Sequence, residues 1–348
     1  MKNKIEIIQP DDWHVHFREN EMLKAITHYS SRINKRCIAM PNTETPITNS
    51  AKAEDYRAEI TKNSKSDNFE ILIPCYLTEN LDLDDFKQGL EKNIFIGAKL
   101  YPTNATTNSS FGVSKIENIY PALEILEKEN KMLLIHGEKV RRDIDIFDRE
   151  KYFIDGELQQ IRNKFKELRI VLEHVSTSHG IDFVKSNKNM GGTITPHHML
   201  LTKKDVFINE SINPHHFCMP VVKNESDLIA LRKAACNENT KFFLGTDSAP
   251  HHVNYKIPNI SSKPGIFSAV CSIELYASIF EEEGAIKNLE TFSSINGPKF
   301  YNLPINDHHI ILSREEWIVP EYIEKEKIKV KNFHGGKKLN WKVKNFRV

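Results

Sequence analysis

Eight short apolar runs, each followed by a stretch with helical spacing, constrain this chain more than any other feature. The runs cover residues 13–17, 36–40, 69–76, 95–100, 132–136, 169–174, 192–195 and 241–245. Helical spacing predicts helices over 21–33, 50–62, 83–92, 114–129, 156–167, 178–186, 225–238 and 267–282. Such alternation is the signature of strand–helix units wrapped around a parallel sheet. Eight units fit an α/β fold of the (β/α)8 TIM-barrel type, whose functional groups gather on the rim at the carboxyl ends of the strands. An open doubly wound sheet is the alternative, weakened because no GxGxxG follows the first run. There is no repeat, low-complexity tract or Gly/Ser linker, so residues 1–348 read as one domain with the tail, 310–348, packed on the barrel. In that tail 328–331 and 339–344 alternate with period two around Gly335-Gly336. This predicts a small C-terminal β-hairpin extension with lysines on its wet face.

Composition narrows the class of function. Lys+Arg is 48 and Asp+Glu is 47, so the net charge is +1. A nucleic-acid binder needs a basic footprint to displace counterions, and none is expected as a partner here. No apolar run is long enough to span a membrane, and MKNKIEIIQPDDW lacks the apolar core of a signal peptide. The cysteines, at 37, 75, 218, 236 and 271, form no CxxC. Reduced thiols and a cytoplasmic location are the expectation.

The chemistry is expected at the strand ends. His14 and His16 lie two apart on the first run, so both imidazoles can face one metal. Later runs end in Lys99, His136, Glu173-His174 and Asp247. Four histidines and an aspartate on one rim suit zinc, which prefers imidazole nitrogen and carboxylate oxygen. Lys99 is the odd member, because a cation repels metals; by itself it fits a surface residue or a structural ion pair equally well. The apolar run before it places its stem inside, and a buried lysine loses its proton readily. A neutral amine can add CO2 and become an anionic carbamate able to bridge two cations.

Here the residues carry a resemblance. His14-x-His16-x-Arg18, Met40-Pro41-Asn42, Ala98-Lys99-Leu100-Tyr101-Pro102 and the loop Asn104–Ser110 resemble the shorter, single-enzyme bacterial dihydroorotases of the amidohydrolase superfamily. So do Asp145–Glu150, His136-Gly137-Glu138, Glu173-His174, Thr193–His198 and Gly245–His251. The resemblance implies a barrel holding two zinc ions. The first would be held by His14, His16, Asp247 and carboxylated Lys99. The second would share that carbamate with His136 and His174, and a hydroxide would bridge the pair. It implies reversible closure of N-carbamoyl-L-aspartate to L-dihydroorotate, with Asp247 as the catalytic proton carrier. Arg18, Asn42 and His251 would bind the substrate's carboxylate, and Met219 its ring through the main chain. His16 and His136 would border the substrate, and loop 103–112 would close over it with Thr106 and Thr107 at the tip. A homodimer is implied as well.

One segment departs from the pattern. Residues 252–266 are one longer than the resemblance predicts. A main-chain N–H expected to meet the carboxylate falls near Pro264, which has none. Either the register moves to Gly265 or Pro264 contributes shape alone. Two other readings share these residues. A dihydropyrimidinase or hydantoinase would use the same metal set on an uncharged ring, leaving three carboxylate binders without a partner. A scaffold that has lost its metals would have no use for a complete ligand set.

Overall fold

The computed structural model describes residues 3–209 and 211–347; the single unit expected over 1–348 therefore includes four positions, 1, 2, 210 and 348, outside the described residues. Eight strand positions form a ring. They are β1 (Asp11–Val15), β2 (Arg36–Ala39), β3 (Glu70–Leu72 continuing as Cys75–Tyr76), β4 (Gly97–Leu100), β5 (Met132–Ile135), β6 (Arg169–Leu172), β7 (Met190–Ile194) and β8 (Phe242–Leu244). Neighbours pair in parallel and in chain order. The ring breaks once, inside β3 at Ile73-Pro74, where proline has no N–H to donate to a ladder. Leu72 still pairs with Ile38, and Cys75 resumes against Ala98. Closure runs from the end of β8 to β1: Val15 bridges Ser248, and the Asp247 N–H donates to the His14 carbonyl at 2.8 Å.

Every residue of β1, β2, β4, β5 and β7 is buried, as expected for parallel strands covered on both faces. The helices lie outside, and each turns an apolar stripe inward. Asn20–Ser31 buries Leu23 and Ile26, and Ser272–Glu282 buries Ile273, Leu275, Tyr276 and Ile279. None of the described helices is long and apolar enough to cross a membrane.

Several boundaries move. The first strand lies at 11–15 rather than 13–17, so His16 and Arg18 belong to the loop beyond it. The helix expected over 156–167 begins at Arg149 and runs through a π-helical turn, Ile154–Leu158, to Lys164. The helix expected over 267–282 starts at Ser272, because the Ser268 and Ala269 N–H groups donate to Ser248 Oγ instead.

The tail corrects the expected pairing. Residues 328–331 do form a hairpin, but with Tyr322–Lys325 rather than 339–344. The two-residue turn Glu326-Lys327, with Glu326 at φ 53°, closes it more tightly than the glycine pair could. Lys338–Arg347 pairs instead with His309–Ile318, which also pairs with an unforeseen N-terminal strand, Lys4–Ile8. Five of the eight tail lysines are matched by acids: Lys329 with Glu324, Lys331 with Glu321, Lys338 with Glu316, and Lys342 and Lys344 with Glu315.

Candidate active site

The ends of β1, β4, β5, β6 and β8 bring six predicted residues together. His14 Nε2 and His16 Nε2 are 3.4 Å apart, and Asp247 Oδ1 lies 3.3 and 3.1 Å from them. His136 Nδ1 lies 3.1 Å from His174 Nε2. Lys99 is wholly buried in β4; its Nζ has no hydrogen-bond partner, and Glu173 Oε2 is 4.0 Å away.

Carboxylates behind the ring nitrogens set which nitrogen faces inward. His14 Nδ1 donates to Glu173 Oε2, leaving Nε2 with a lone pair. His136 Nε2 donates to Glu138 Oε2 at 2.7 Å, leaving Nδ1 free. Such partners fix the tautomer of a metal ligand and raise its basicity. Burial drives His16 down to about 3 and His174 well below the usual imidazole range, so both are neutral. Burial alone would raise Asp247, but the His14 and His16 rings hold its carboxyl well below the ordinary range. Burial also lowers Lys99 to about 8.

Burial lowers the His14 pKa, but the Glu173 and Asp247 carboxylates raise it overall. The ligand atoms converge at spacings of 3.1–3.4 Å. Metal–nitrogen bonds of about 2.0–2.1 Å in a tetrahedron give ligand–ligand edges of about 3.3 Å. The residues present thus fit a metal, and ligand atoms of His14, His174 and Asp247 all lie within 4.8 Å of one another.

The local backbone is held in place from outside the cluster. Arg18, His174 and Asp247 adopt left-handed conformations, with φ 59°, 39° and 44°. Each costs about 1–3 kcal/mol and persists only where its surroundings enforce it. The buried Asp12 accepts from the Thr246 N–H at 2.9 Å, the Thr246 hydroxyl at 2.6 Å and the His14 N–H at 3.2 Å, tying β1 to the Asp247 turn. The His174 N–H donates to Thr193 Oγ1 at 2.7 Å. Glu150 accepts from the main chain and hydroxyls of both Ser176 and Thr177, clamping the turn after His174.

The opposite end of the site is made of loops. Arg18 Nε donates to the Pro250 carbonyl at 3.0 Å, and its Nη2 is 3.1 Å from His251 Nε2. That same nitrogen is 2.9 Å from the Pro264 carbonyl. Arginine only donates and a carbonyl only accepts, so one ring nitrogen serves one of the two at a time. Asn42 Nδ2 donates to the Thr107 carbonyl at 2.9 Å, and Asn108 Nδ2 donates to the Asn42 carbonyl at 3.0 Å. Loop 103–112 is thereby docked onto β2's end. Ten of the predicted residues wall a small inner cavity of about 20 Å³ with Pro264: His14, His16, Arg18, Asn42, Thr106, Thr107, His136, His174, Met219 and Asp247. Lys99 is outside that wall. His251 faces an adjoining outer pocket of about 610 Å³ that shares Arg18, Asn42 and Thr107. Gly265 also lines the inner cavity, but its N–H donates to the Phe217 carbonyl at 2.9 Å. Neither Pro264 nor Gly265 presents a free N–H there.

Sequence reasoning gave no role to Asp12, Glu138, Glu150 or Glu173. A signal existed for three of them. Asp12, Glu138 and Glu173 stand within two residues of His14, His136 and His174.

The rim and barrel together make a hydrolase scaffold with a candidate metal centre, and the chain belongs to the amidohydrolase family, which matches residues 7–306. Whole-length relatives set the branch. A dihydroorotase of Buchnera aphidicola subsp. Schizaphis graminum is 44% identical over 98% of each chain. The crystal structure of Saccharomyces cerevisiae dihydroorotase in complex with 5-fluoroorotic acid has a TM-score of 0.92 and 31% identity over 99% of each chain. The chain is a member of the dihydroorotase family. An L-hydantoinase (dihydropyrimidinase) from Arthrobacter aurescens shares the fold alone, with a TM-score of 0.80 at 13% identity over 97% of this chain and 82% of that one.

Proposed function

We propose that this protein is a dihydroorotase that interconverts N-carbamoyl-L-aspartate and L-dihydroorotate at a site holding two zinc ions. The observation that carries the reading is the convergence of imidazole and carboxylate ligand atoms opposite Arg18, within one cavity wall. His14, His16 and Asp247 would hold one ion, and His136 and His174 the other. Lys99, with an unpartnered buried amine between these groups, would bridge them as a carbamate, formed from neutral amine and CO2 with release of a proton. Ions bound there supply a nucleophile at neutral pH and polarise the ring carbonyl.

The chain's own groups do the rest. Asp247, held ionised, takes a proton from water as its oxygen adds to the ring carbonyl. The ring C–N bond then breaks, and Asp247 returns the proton to the departing nitrogen. The carboxylic acid so formed releases one proton, and ring closure, the same steps backwards, consumes it. Arg18 offers a planar fork to the substrate's carboxylate, with Asn42 and His251 beside it. His16, His136, Met219 and Pro264 shape the ring's place, and Thr106 and Thr107 exclude water above it. Homodimeric assembly and a cytoplasmic location belong to the same proposal.

Following absorbance as purified protein hydrolyses dihydroorotate tests the activity. Faster turnover of dihydrouracil, which lacks the carboxylate, would hand the site to the dihydropyrimidinase reading. Zinc near zero per chain in active protein would remove the metal assignment.

A further inference from the structure

Lys256 has no part in the chemistry above, yet it is among the most committed side chains near the site. It is buried, at 8% exposure, and its Nζ donates to three main-chain carbonyls: Gly265 at 2.7 Å, Lys263 at 2.8 Å and Phe217 at 3.3 Å. Three acceptors match the three protons of an ammonium. The carbonyls come from two segments far apart in sequence. Phe217 leads into Met219, and Lys263 and Gly265 flank Pro264; Met219, Pro264 and Gly265 all line the inner cavity. The Gly265 N–H also donates to Phe217, so the two walls are joined twice. Gly265 sits at φ 148°, and a Cβ there would meet the Ala249 carbonyl at 2.5 Å. Only glycine permits that approach, and the ammonium holds the chain in it.

Charge makes the second half of the argument. Buried cations are ordinarily paired with an acid. Lys256 is bonded to neutral carbonyls alone, while burial and, to a smaller degree, Arg18 disfavour its charged form. Arg18, Lys256 and Lys263 all act on His251, which burial keeps neutral. This end of the cavity thus gathers positive charge around an imidazole that contributes none. An arriving anion supplies the missing partner.

Resting on the reading that the cavity takes a carboxylate substrate, we propose that Lys256 is a positioning and specificity-determining residue. It fixes the Met219 and Pro264 walls and adds, behind them, a buried positive charge to that of the half-buried Arg18 at the substrate's carboxylate end. Burial brings its pKa down to about 7, so that charge fades as pH rises past neutrality. Four groups are coupled to it electrostatically. The Cys218 thiol is pushed up by burial, His215 is driven down to about 4, His251 is neutral, and Arg18 stays charged.

The test uses metal-loaded full-length protein and orotate, an unreactive planar carboxylate, measured by calorimetric titration, alongside dihydroorotate kinetics. Lys256→Met should weaken orotate binding about tenfold at pH 6. The kinetic loss should fall on KM rather than on kcat, with unchanged zinc content. In the wild type the affinity should decline above pH 7. Lys256→Arg, which stays charged, should bind within about threefold of wild type at pH 6 and lose that decline. Orotate affinity within twofold of wild type in Lys256→Met overturns the proposal. So does a decline above pH 7 that persists unchanged in Lys256→Arg, the deciding result if the methionine variant does not fold. A wild-type protein that neither binds orotate nor hydrolyses dihydroorotate would instead overturn the dihydroorotase reading beneath it.

Discussion

The two ends of the site are built from opposite materials. At the metal end, residues on or just past barrel strands are oriented by buried acids: Glu173 behind His14, Glu138 behind His136, Asp12 under the Asp247 turn and Glu150 under the His174 turn. At the carboxylate end, cations on loops are anchored to main-chain carbonyls, Arg18 to Pro250 and Lys256 to Phe217, Lys263 and Gly265. The difference follows from the charge each end must receive. A cation site needs anionic and lone-pair groups whose remaining hydrogen bonds are satisfied by further acids. An anion site needs cations satisfied by acceptors that carry no net charge, or the attraction is spent within the protein.

Four measurements sharpen or break that contrast. The largest effect is expected at Asp247, which serves as both ligand and proton carrier. Asp247→Asn should keep the barrel's circular-dichroism spectrum while kcat falls by about 10²–10⁴; a variant retaining most of its rate would place the proton transfer elsewhere. Next comes Glu173→Gln. It removes only the acid behind His14, so zinc affinity measured against a chelator should drop about 10–100-fold. Undiminished affinity would mean the buried acids do not orient the ligands.

The carboxylate end should respond differently. Arg18→Met should cost about tenfold or more in kcat/KM for dihydroorotate, the worth of a charge-assisted bond, and leave zinc content alone. A loss of zinc in that variant would erase the distinction between the two ends. The smallest effect concerns the base of the covering loop. Glu79 accepts from the Ser114 hydroxyl and N–H, the Lys115 N–H and the Asn118 amide. These bonds, the Ser114 hydroxyl first, hold its carboxyl down to about 2 from 4.5. A depressed carboxyl stabilises above its unfolded value, so this anchor should weaken as pH falls from about 4.5 through 2. Hydrogen-exchange protection at Ser114 and Lys115 should decline across that window in the wild type and already be low in Glu79→Gln at pH 7.

Much of this was legible in the sequence, and the physical reason is periodicity. Strands buried on both faces leave unbroken apolar runs, and a barrel's rim puts ligands just after them, so His136, His174 and Asp247 could be found by counting. Partner choice is not periodic. The alternation at 328–331 marks a strand but does not say what it pairs with, and the tight Glu326-Lys327 turn decided that. The acids behind the ligands were visible as residues but not as roles, because Glu173 serves His14, 159 residues away, rather than its neighbour His174. Lys256 had no signature: one lysine in a polar loop gains its meaning from carbonyls in two separate segments.

The closure of the ring has a consequence for how the protein is made. Asp247 and His14 meet only when the last barrel strand docks on the first, through the Asp247 N–H, the Val15–Ser248 bridge and the Asp12–Thr246 pair. Contacts so distant in sequence form late and slowly. Until that docking, His14 and His16 stand together but apart from Asp247. The candidate ligand set is complete only in the closed ring, so the step that finishes the barrel also finishes the site.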